Sequence, residues 1–146
     1  MHSLRQRINA REESGFTLIE LLVVLIIIGV LLAIAIPSYL GFQKKAQQTA
    51  AASDVREAIP DATAYYSDNN NYTGLSVTTL QGYDNGLQAY SAGPPEVPGI
   101  LSTTKGGATK YCISAQDGTN FAHVVGPGGQ VVSGESADFC ASWTAS

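Results

Sequence analysis

Basic residues and histidines are scarce in most of this chain. From position 46 onward, three lysines and arginines stand against nine acidic residues, which gives a net charge of −6. Such a region has no broad positive field with which to attract nucleic acid. Serine and threonine are abundant, but His2 and His123 are two isolated histidines, so nothing suggests a Ser-His-Asp site. We therefore expect no catalytic residues and a chain that is not an enzyme.

Cysteine is equally rare, with Cys112 and Cys140 outside any Cys-x-x-Cys pair or Cys/His cluster. Zinc and redox sites are therefore not expected. Residues 68–71 resemble the start of a calcium-binding loop, but the glycine and the closing glutamate are misplaced, so we expect no metal and no cofactor. In an exported domain the two cysteines most often form a disulfide, which contributes roughly 3–4 kcal/mol through loop entropy. In a reducing compartment they would stay free thiols.

Charge is almost absent from residues 16–36, where Glu20 is the one ionisable side chain among 21 residues. At about 1.5 Å per residue this segment is long enough to cross a bilayer as a helix. An exported C-terminal part, and hence the disulfide, is therefore favoured. The Glu20 carboxylate costs about 2.5–3.5 kcal/mol near the middle of a lipid span unless it finds a partner. Alternatively, Glu20 reaches headgroup water from the first helical turn, where the helix dipole favours it.

The pattern of the chain divides it into four segments. Residues 1–15 are polar and form a leader, and residues 16–36 form a transmembrane helix. Residues 37–66 continue the same rod as an amphipathic helix, and residues 67–146 form a variable loop followed by a sheet. The disulfide would bound the C-terminal region of this last segment.

An apolar stripe marks the amphipathic helix. The stripe consists of Ala51, Val55, Ala58, Ile59 and Ala62. Its spacing of three to four residues predicts one helical face that packs against a core, and Tyr65 and Tyr66 should pack one turn further on. Gly29 and Pro37 weaken the helix locally, and Pro60 should end or kink it.

The C-terminal part has the alternation and the turn residues that are typical of β-structure. We expect strands at residues 109–115, 120–125 and 130–133. A further strand is expected near residues 87–90, whereas the rest of residues 75–107 should be irregular. The predicted fold class is α+β, with a long N-terminal helix packed on a small antiparallel sheet of three to four strands.

The start of the apolar run, Gly15-Phe16-Thr17-Leu18-Ile19-Glu20-Leu21-Leu22-Val23-Val24, strongly resembles type IV prepilins and the related pseudopilins. The match extends through Gly29 and Pro37 to Tyr39. Residues 65–69 are also similar to the tyrosine-rich helix end and polar loop of that family. The specific resemblance covers about the first third of the chain, and the remainder agrees in architecture.

The resemblance implies that a membrane prepilin peptidase cuts between Gly15 and Phe16 and N-methylates Phe16. It also implies that Glu20 is the assembly residue. It further implies a helix break at Gly29 and Pro37, where the span would lose its helical structure in a filament. Cleavage turns an uncharged amide nitrogen on Phe16 into a positive amine. Glu20 of one subunit could then meet the Phe16 amine of a neighbour, a buried pairing that fixes register more convincingly than it adds stability.

The same resemblance implies partners and a location. We expect a homopolymer with other copies of the chain, together with the prepilin peptidase, the inner-membrane pilus assembly machinery and minor pilins. Before assembly the subunit would lie in cytoplasmic membrane lipid as a single-pass protein with a cytoplasmic N-terminus, and afterwards in an extracellular pilus filament. Adhesion, twitching motility, DNA uptake and secretion all employ such subunits, and the sequence does not separate them.

Three alternatives to a pilin stay open. The first is a pseudopilin of a type II secretion or DNA-uptake system. The second is a secreted soluble binding domain, because Ala33-x-Ala35 before Pro37 resembles a signal-peptide cleavage site. The third is a simple membrane-anchored protein that starts at Met1. Abundance and long surface filaments separate a pilin from a pseudopilin, and N-terminal sequencing of the mature protein separates both, which begin at Phe16, from a secreted domain that begins near Ile36.

Overall fold

The computed structural model describes residues 16–90 and 100–145. Its elements are helices α1 (Leu18–Asn69), α2 (Val77–Gln81) and α3 (Phe139–Ser142), and strands β1 (Gln88–Ala89), β2 (Ile100–Gly106), β3 (Tyr111–Asp117), β4 (Asn120–Gly126) and β5 (Val132–Glu135). Tertiary contacts divide the chain into two units with a boundary between Tyr39 and Leu40. The α+β class is confirmed, and the predicted leader lies outside the described residues.

Helix α1 is uninterrupted at its glycines and prolines. The helix does not end at Pro60, contrary to one form of the prediction. Proline removes one backbone hydrogen bond but has a φ compatible with a helix. Pro60 and Arg56 are both exposed, so water can bond the Arg56 carbonyl that loses its donor. At Gly29 and Pro37 the single chain shows no break, and their unwinding in a filament stays a prediction.

The first unit consists of the apolar half of α1. Every residue from Phe16 to Tyr39 is exposed. By length and composition, α1 is the one helix in the described part of the chain that could cross a membrane. None of the described residues of this unit covers its leucines, isoleucines and valines.

The core of the second unit lies between α1 and one face of the sheet. The predicted stripe is confirmed at Ala51, Val55, Ala58 and Ala62, all with no exposed surface, and Ile59 packs against them. They join one apolar cluster with the paired residues of β3 and β4, Ile113 with Val124 and Ala115 with Ala122. The small alanine side chains of α1 allow the helix to lie close to the sheet, where Ile113 and Val124 fill the space between them.

The sheet has five strands in the order β1-β2-β3-β4-β5 within the described residues, one more than the upper limit of the prediction. Strands β2 to β5 pair antiparallel, as predicted, whereas the two-residue β1 pairs parallel with β2. Strand β2 and helix α2 lie in the region predicted to be irregular, which is a correction. Helix α2 is short and depends on a capping box between Ser76 and Thr79.

Strand β3 is buried on both faces. Ile113 and Ala115 point to the core that α1 closes, whereas Cys112 and Ser114 belong to the opposite face because side chains alternate along a strand. The C-terminal segment covers this second face, with Cys140 disulfide-bonded to Cys112. The predicted disulfide is therefore present.

The two tyrosines near the end of α1 differ in their surroundings. Tyr65 packs against the core cluster, and its hydroxyl donates to the Thr73 carbonyl at 2.7 Å. Tyr66 is 40% exposed and lies with its ring 4.8 Å from the ring of Tyr72. Core packing is thus confirmed for Tyr65, and Tyr66 packs on the rim of the domain.

Candidate functional site at the start of the long helix

The first turn of α1 is closed by a reciprocal pair of side chains. The Thr17 backbone N–H and hydroxyl both donate to Glu20 Oε2, at 2.9 and 2.8 Å, and the Glu20 N–H donates to Thr17 Oγ1 at 3.3 Å. This is a capping box, in which the residue before the helix and the third helical residue satisfy each other's free N–H groups. The sequence analysis missed it, although Thr17-Leu18-Ile19-Glu20 has the required spacing.

The capping box changes what Glu20 needs from a partner. Within the single chain, its charge is held by two donors of Thr17 and by the dipole of the helix that it begins. Both donors go to Oε2, and Oε1 has no hydrogen bond within the described part of the chain. Oε1 is therefore the acceptor that remains for a donor outside this chain.

An apolar surface surrounds this carboxylate. A shallow groove is lined by Phe16, Ile19, Glu20, Val23 and Val24. Phe16 is 85% exposed, so its backbone nitrogen, the predicted new terminus, lies at an accessible position. Exposed apolar surface of this extent requires lipid or protein to cover it. A partner that brings a cationic donor to Glu20 would therefore also cover the apolar side chains around it.

A second constellation fixes the C-terminal segment on the outer face of the sheet. Asp138 Oδ2 accepts from Ser102 at 3.0 Å and from Thr103 at 2.5 Å, and Oδ1 accepts from Ser114 at 2.6 Å. Asp138 also caps α3 through the Ala141 N–H. Burial alone would raise the pKa of Asp138, but the donors from Ser114, Thr103, Ser102 and Ala141 outweigh it and hold the pKa below its ordinary value.

The disulfide and a lysine complete this attachment, which we call the C-terminal clamp. Cys112 and Cys140 are 28 residues apart in sequence, with their Cα atoms 5.6 Å apart. Lys105 Nζ donates to the carbonyls of Ala141 and Trp143 at 2.5 and 3.4 Å. The clamp thus joins β2 and β3 to the last helix by one covalent bond and several hydrogen bonds.

His123 is packed against Glu135 and Phe139. Its Nδ1 lies 2.7 Å from Glu135 Oε2, its ring stacks on Phe139 at 4.2 Å between centroids, and it is 8% exposed. Within residues 16–90 and 100–145, no three histidine, cysteine, aspartate or glutamate side chains form a group that could hold a metal ion. The surroundings of His123 agree with a packed histidine.

Comparison with known proteins supports one interpretation of these features. Residues 10–36 match the family described as the prokaryotic N-terminal methylation motif. The type IV wide pilus major component PilA4 of Thermus thermophilus is 34% identical over 105 residues, which cover 72% of this chain and 74% of that protein. This chain belongs to the type IV pilin and pseudopilin family. Members of this family are structural subunits, and the match extends beyond the methylation motif into the second unit.

Two further family members resemble the chain over shorter stretches. Type II secretion system core protein G of Aeromonas hydrophila is 38% identical over 84 residues, 58% of this chain and 56% of that protein. The type IV major pilin protein PilA of Myxococcus xanthus is 39% identical over 70 residues, 48% of this chain and 31% of that protein. The chain thus spans about half and a third of these two relatives. No solved structure matches.

Proposed function

We propose that this pilin-family chain is a filament subunit of a type IV pilus. In this proposal, a prepilin peptidase cuts between Gly15 and Phe16 and methylates the Phe16 nitrogen. The subunit waits in the cytoplasmic membrane with its N-terminus on the cytoplasmic side, and the pilus assembly machinery then moves it into an extracellular filament. Minor pilins and further copies of the chain are its partners there.

The observation that carries the proposal is the exposed apolar half of α1 with one carboxylate in its first turn. Residues 16–39 expose all their side chains, and only lipid or other apolar helices can cover them. A membrane anchor alone would explain the length and hydropathy. It would not explain an acidic residue that lies within the matched methylation motif and whose second oxygen has no partner in the described chain.

Cleavage supplies the missing donor. Before the cut, the Phe16 nitrogen is a neutral amide, and after it the nitrogen is an ammonium group. The capping box already orients the Glu20 carboxylate through Oε2, so Oε1 can accept from the Phe16 ammonium of an adjacent copy. A charge-assisted bond in an apolar surrounding fixes the axial register of the two helices. Assembly therefore depends on processing, because only the cleaved subunit carries the ammonium group that Glu20 binds.

The capping box offers a matched pair of variants to test the proposal. Glu20→Gln keeps an acceptor for Thr17 and so keeps the capping box, but it removes the charge. We expect normal cleavage and insertion with surface filament reduced about tenfold or more, as for the loss of a charged partner. Thr17→Val removes the two hydrogen bonds of the Thr17 hydroxyl but keeps the Thr17 backbone donor and the Glu20 carboxylate, so filaments should remain. Wild-type filament yield from Glu20→Gln would refute the registration role.

A pseudopilin of a type II secretion system is the second candidate, favoured by the similarity to core protein G. The same processing and the same Glu20 contact would apply. Deleting the gene separates the two functions: loss of long surface filaments with normal protein secretion supports the pilus, whereas loss of secretion from cells whose filaments are unchanged supports the pseudopilin.

A further inference from the structure

The side of α1 that faces away from the sheet forms a distinct surface in the second unit. At about 100° per residue, Phe42, Ala46, Thr49 and Ser53 lie opposite the buried stripe that contains Val55. All four are exposed, and Phe42 exposes 74% of its surface. We call these residues the outer stripe. Apart from Phe42 they are small, so another backbone can approach closely.

Opposite charges flank the outer stripe. On one side, Asp54, Glu57 and Asp61 follow one another at intervals of three and four residues, so they share a helix edge. On the other side, Lys45 and Arg56 are eleven residues apart, about three turns, and therefore share the other edge. We call these the acidic edge and the basic edge. Arg56 and Glu57 are neighbours in sequence and so diverge by about 100° around the helix axis.

Neither edge is neutralised within the described chain. In residues 16–90 and 100–145, no lysine or arginine forms a salt bridge with an aspartate or a glutamate. Asp54 and Asp61 each have a buried Oδ2 atom with no hydrogen-bond donor. Unsatisfied buried oxygens of this kind are costly but cannot be reached from outside the domain, so a cation on a neighbouring copy can approach this edge at the exposed Glu57.

Ionisable groups near the acidic edge add to its need for a cation. Burial, followed by the carboxylates of Asp117 and Glu57, raises the pKa of Asp54 to about 6. Burial and the carboxylates of Asp84 and Glu57 also raise the pKa of Asp61. The edge is therefore crowded with like charge, whereas Lys45 and Arg56 lie on the far side of the helix and have no carboxylate partner in the described chain.

We propose that the acidic edge of one copy binds the basic edge of the next copy in the filament, with the outer stripe at the contact. The inference rests on the proposed function, because it needs an assembly of copies. Repeated head to tail, a contact between two different edges builds an open helical assembly. A two-fold dimer can pair the same two edges reciprocally, so the open assembly rests on the proposed function and not on the pairing itself.

Charge reversal and its compensation test this pairing in the full chain, expressed in its host. Arg56→Glu and Glu57→Arg each place like charges across the contact, so each should reduce sheared surface filament about tenfold or more. The double variant Arg56→Glu/Glu57→Arg restores opposite charges at the same two positions and should return the yield to within about twofold of wild type. Both side chains are exposed and make no hydrogen bond or ion pair in the described chain, so no contact of the fold is lost, and Glu57→Arg also relieves the repulsion of Glu57 with Asp54 and Asp61.

Lys110→Glu is the matched control. Lys110 is exposed, lies just before β3, and undergoes the same change of charge as Arg56. Filament yield should stay at the wild-type level in this variant. Formation of the disulfide between Cys112 and Cys140, and the amount of processed subunit in the membrane, report that each variant folds and is processed.

The outcomes separate the pairing from the proposed function. Loss in both single variants with recovery in the double variant supports the pairing. Wild-type yields in both single variants, or loss without recovery in the double variant, overturn it while filament formation by the wild type stands. If the wild type itself forms no assembly with copies of itself, the proposed function fails and the pairing fails with it.

A zero-length carbodiimide cross-link gives a second measurement on wild-type filaments. The reagent joins a lysine amine to a carboxylate only where the two are in contact. Filaments grown from a mixture of light and heavy isotope-labelled subunits should yield mixed-isotope peptides that join Lys45 to Asp54, Glu57 or Asp61. Mixed-isotope peptides that join Lys45 only to carboxylates off the acidic edge would overturn the assignment of the edges.

Discussion

Removing the Asp138 carboxylate should release the C-terminal clamp. In Asp138→Ala, the hydroxyls of Ser102, Thr103 and Ser114 lose an ionised acceptor, and α3 loses its cap. Hydrogen bonds to a charged group contribute about 1.5–3 kcal/mol each, and the cost of partly burying the carboxylate offsets part of their sum. We expect a loss of about 3 kcal/mol in the free energy of unfolding at pH 7.

Trp143 is the one tryptophan of the chain, and its carbonyl belongs to the clamp, so its fluorescence reports this segment directly. With a urea m value of about 1.5 kcal/mol/M, the loss corresponds to a midpoint lowered by about 2 M. The measurement uses the full chain in detergent with the disulfide intact. Ser136→Ala is the control, because Ser136 is exposed and outside the clamp.

The dependence on pH gives an independent check on the same residue. The folded-state pKa of Asp138 lies below its ordinary value, so its contribution is present above the ordinary carboxyl pKa of about 3.9 and is lost as the pH falls through the folded value. The difference between wild type and Asp138→Ala should therefore shrink toward pH 3. A midpoint for Asp138→Ala within about 0.3 M of wild type at pH 7 would refute the reasoning, because the predicted shift is about 2 M.

Two further predictions concern the same unit. Because burial and the carboxylates of Asp117 and Glu57 raise the pKa of Asp54 to about 6, its ionisation costs stability as the pH rises from about 4 to 6. In the unassembled subunit, Asp54→Asn should raise the free energy of unfolding by about 1 kcal/mol at pH 8, after allowance for solvent screening, and by almost nothing at pH 3. Equal gains at both pH values would contradict this. Reduction of the disulfide should lower the free energy of unfolding by roughly 3–4 kcal/mol, because the unfolded chain regains loop entropy. Without urea, Trp143 should keep its native emission, because Asp138 and Lys105 still hold the C-terminal segment by hydrogen bonds. A fully unfolded emission spectrum on reduction alone would show that the hydrogen bonds do not suffice.

The spacing of apolar residues predicted those parts of the fold in which a single face of a helix or a strand is buried. The stripe from Ala51 to Ala62 repeats at the helical spacing because a single face of α1 is buried, and the structure buries those residues. The hairpin of β3 and β4 follows from its alternation and from the turn at Gly118, where φ is +57°. Such local signals are readable because few distant contacts compete with them.

Strand β2 could not be found in the same way. Its hydroxyl residues Ser102 and Thr103 face Asp138, which follows 36 and 35 residues later in the chain. A polar strand that pairs with a distant carboxylate has no apolar alternation for a sequence pattern to detect. The Glu20 capping box is the opposite case, because its four-residue signature was present and was overlooked in favour of the membrane-spanning run.

The most direct test of the account is the intact mass of the subunit in filaments sheared from its host. The account predicts a mass equal to residues 16–146 plus one methyl group on Phe16, with one disulfide. A subunit that retains residues 1–15, or one that begins near Ile36, would contradict it, because neither has an amine at Phe16 for the Glu20 of an adjacent copy.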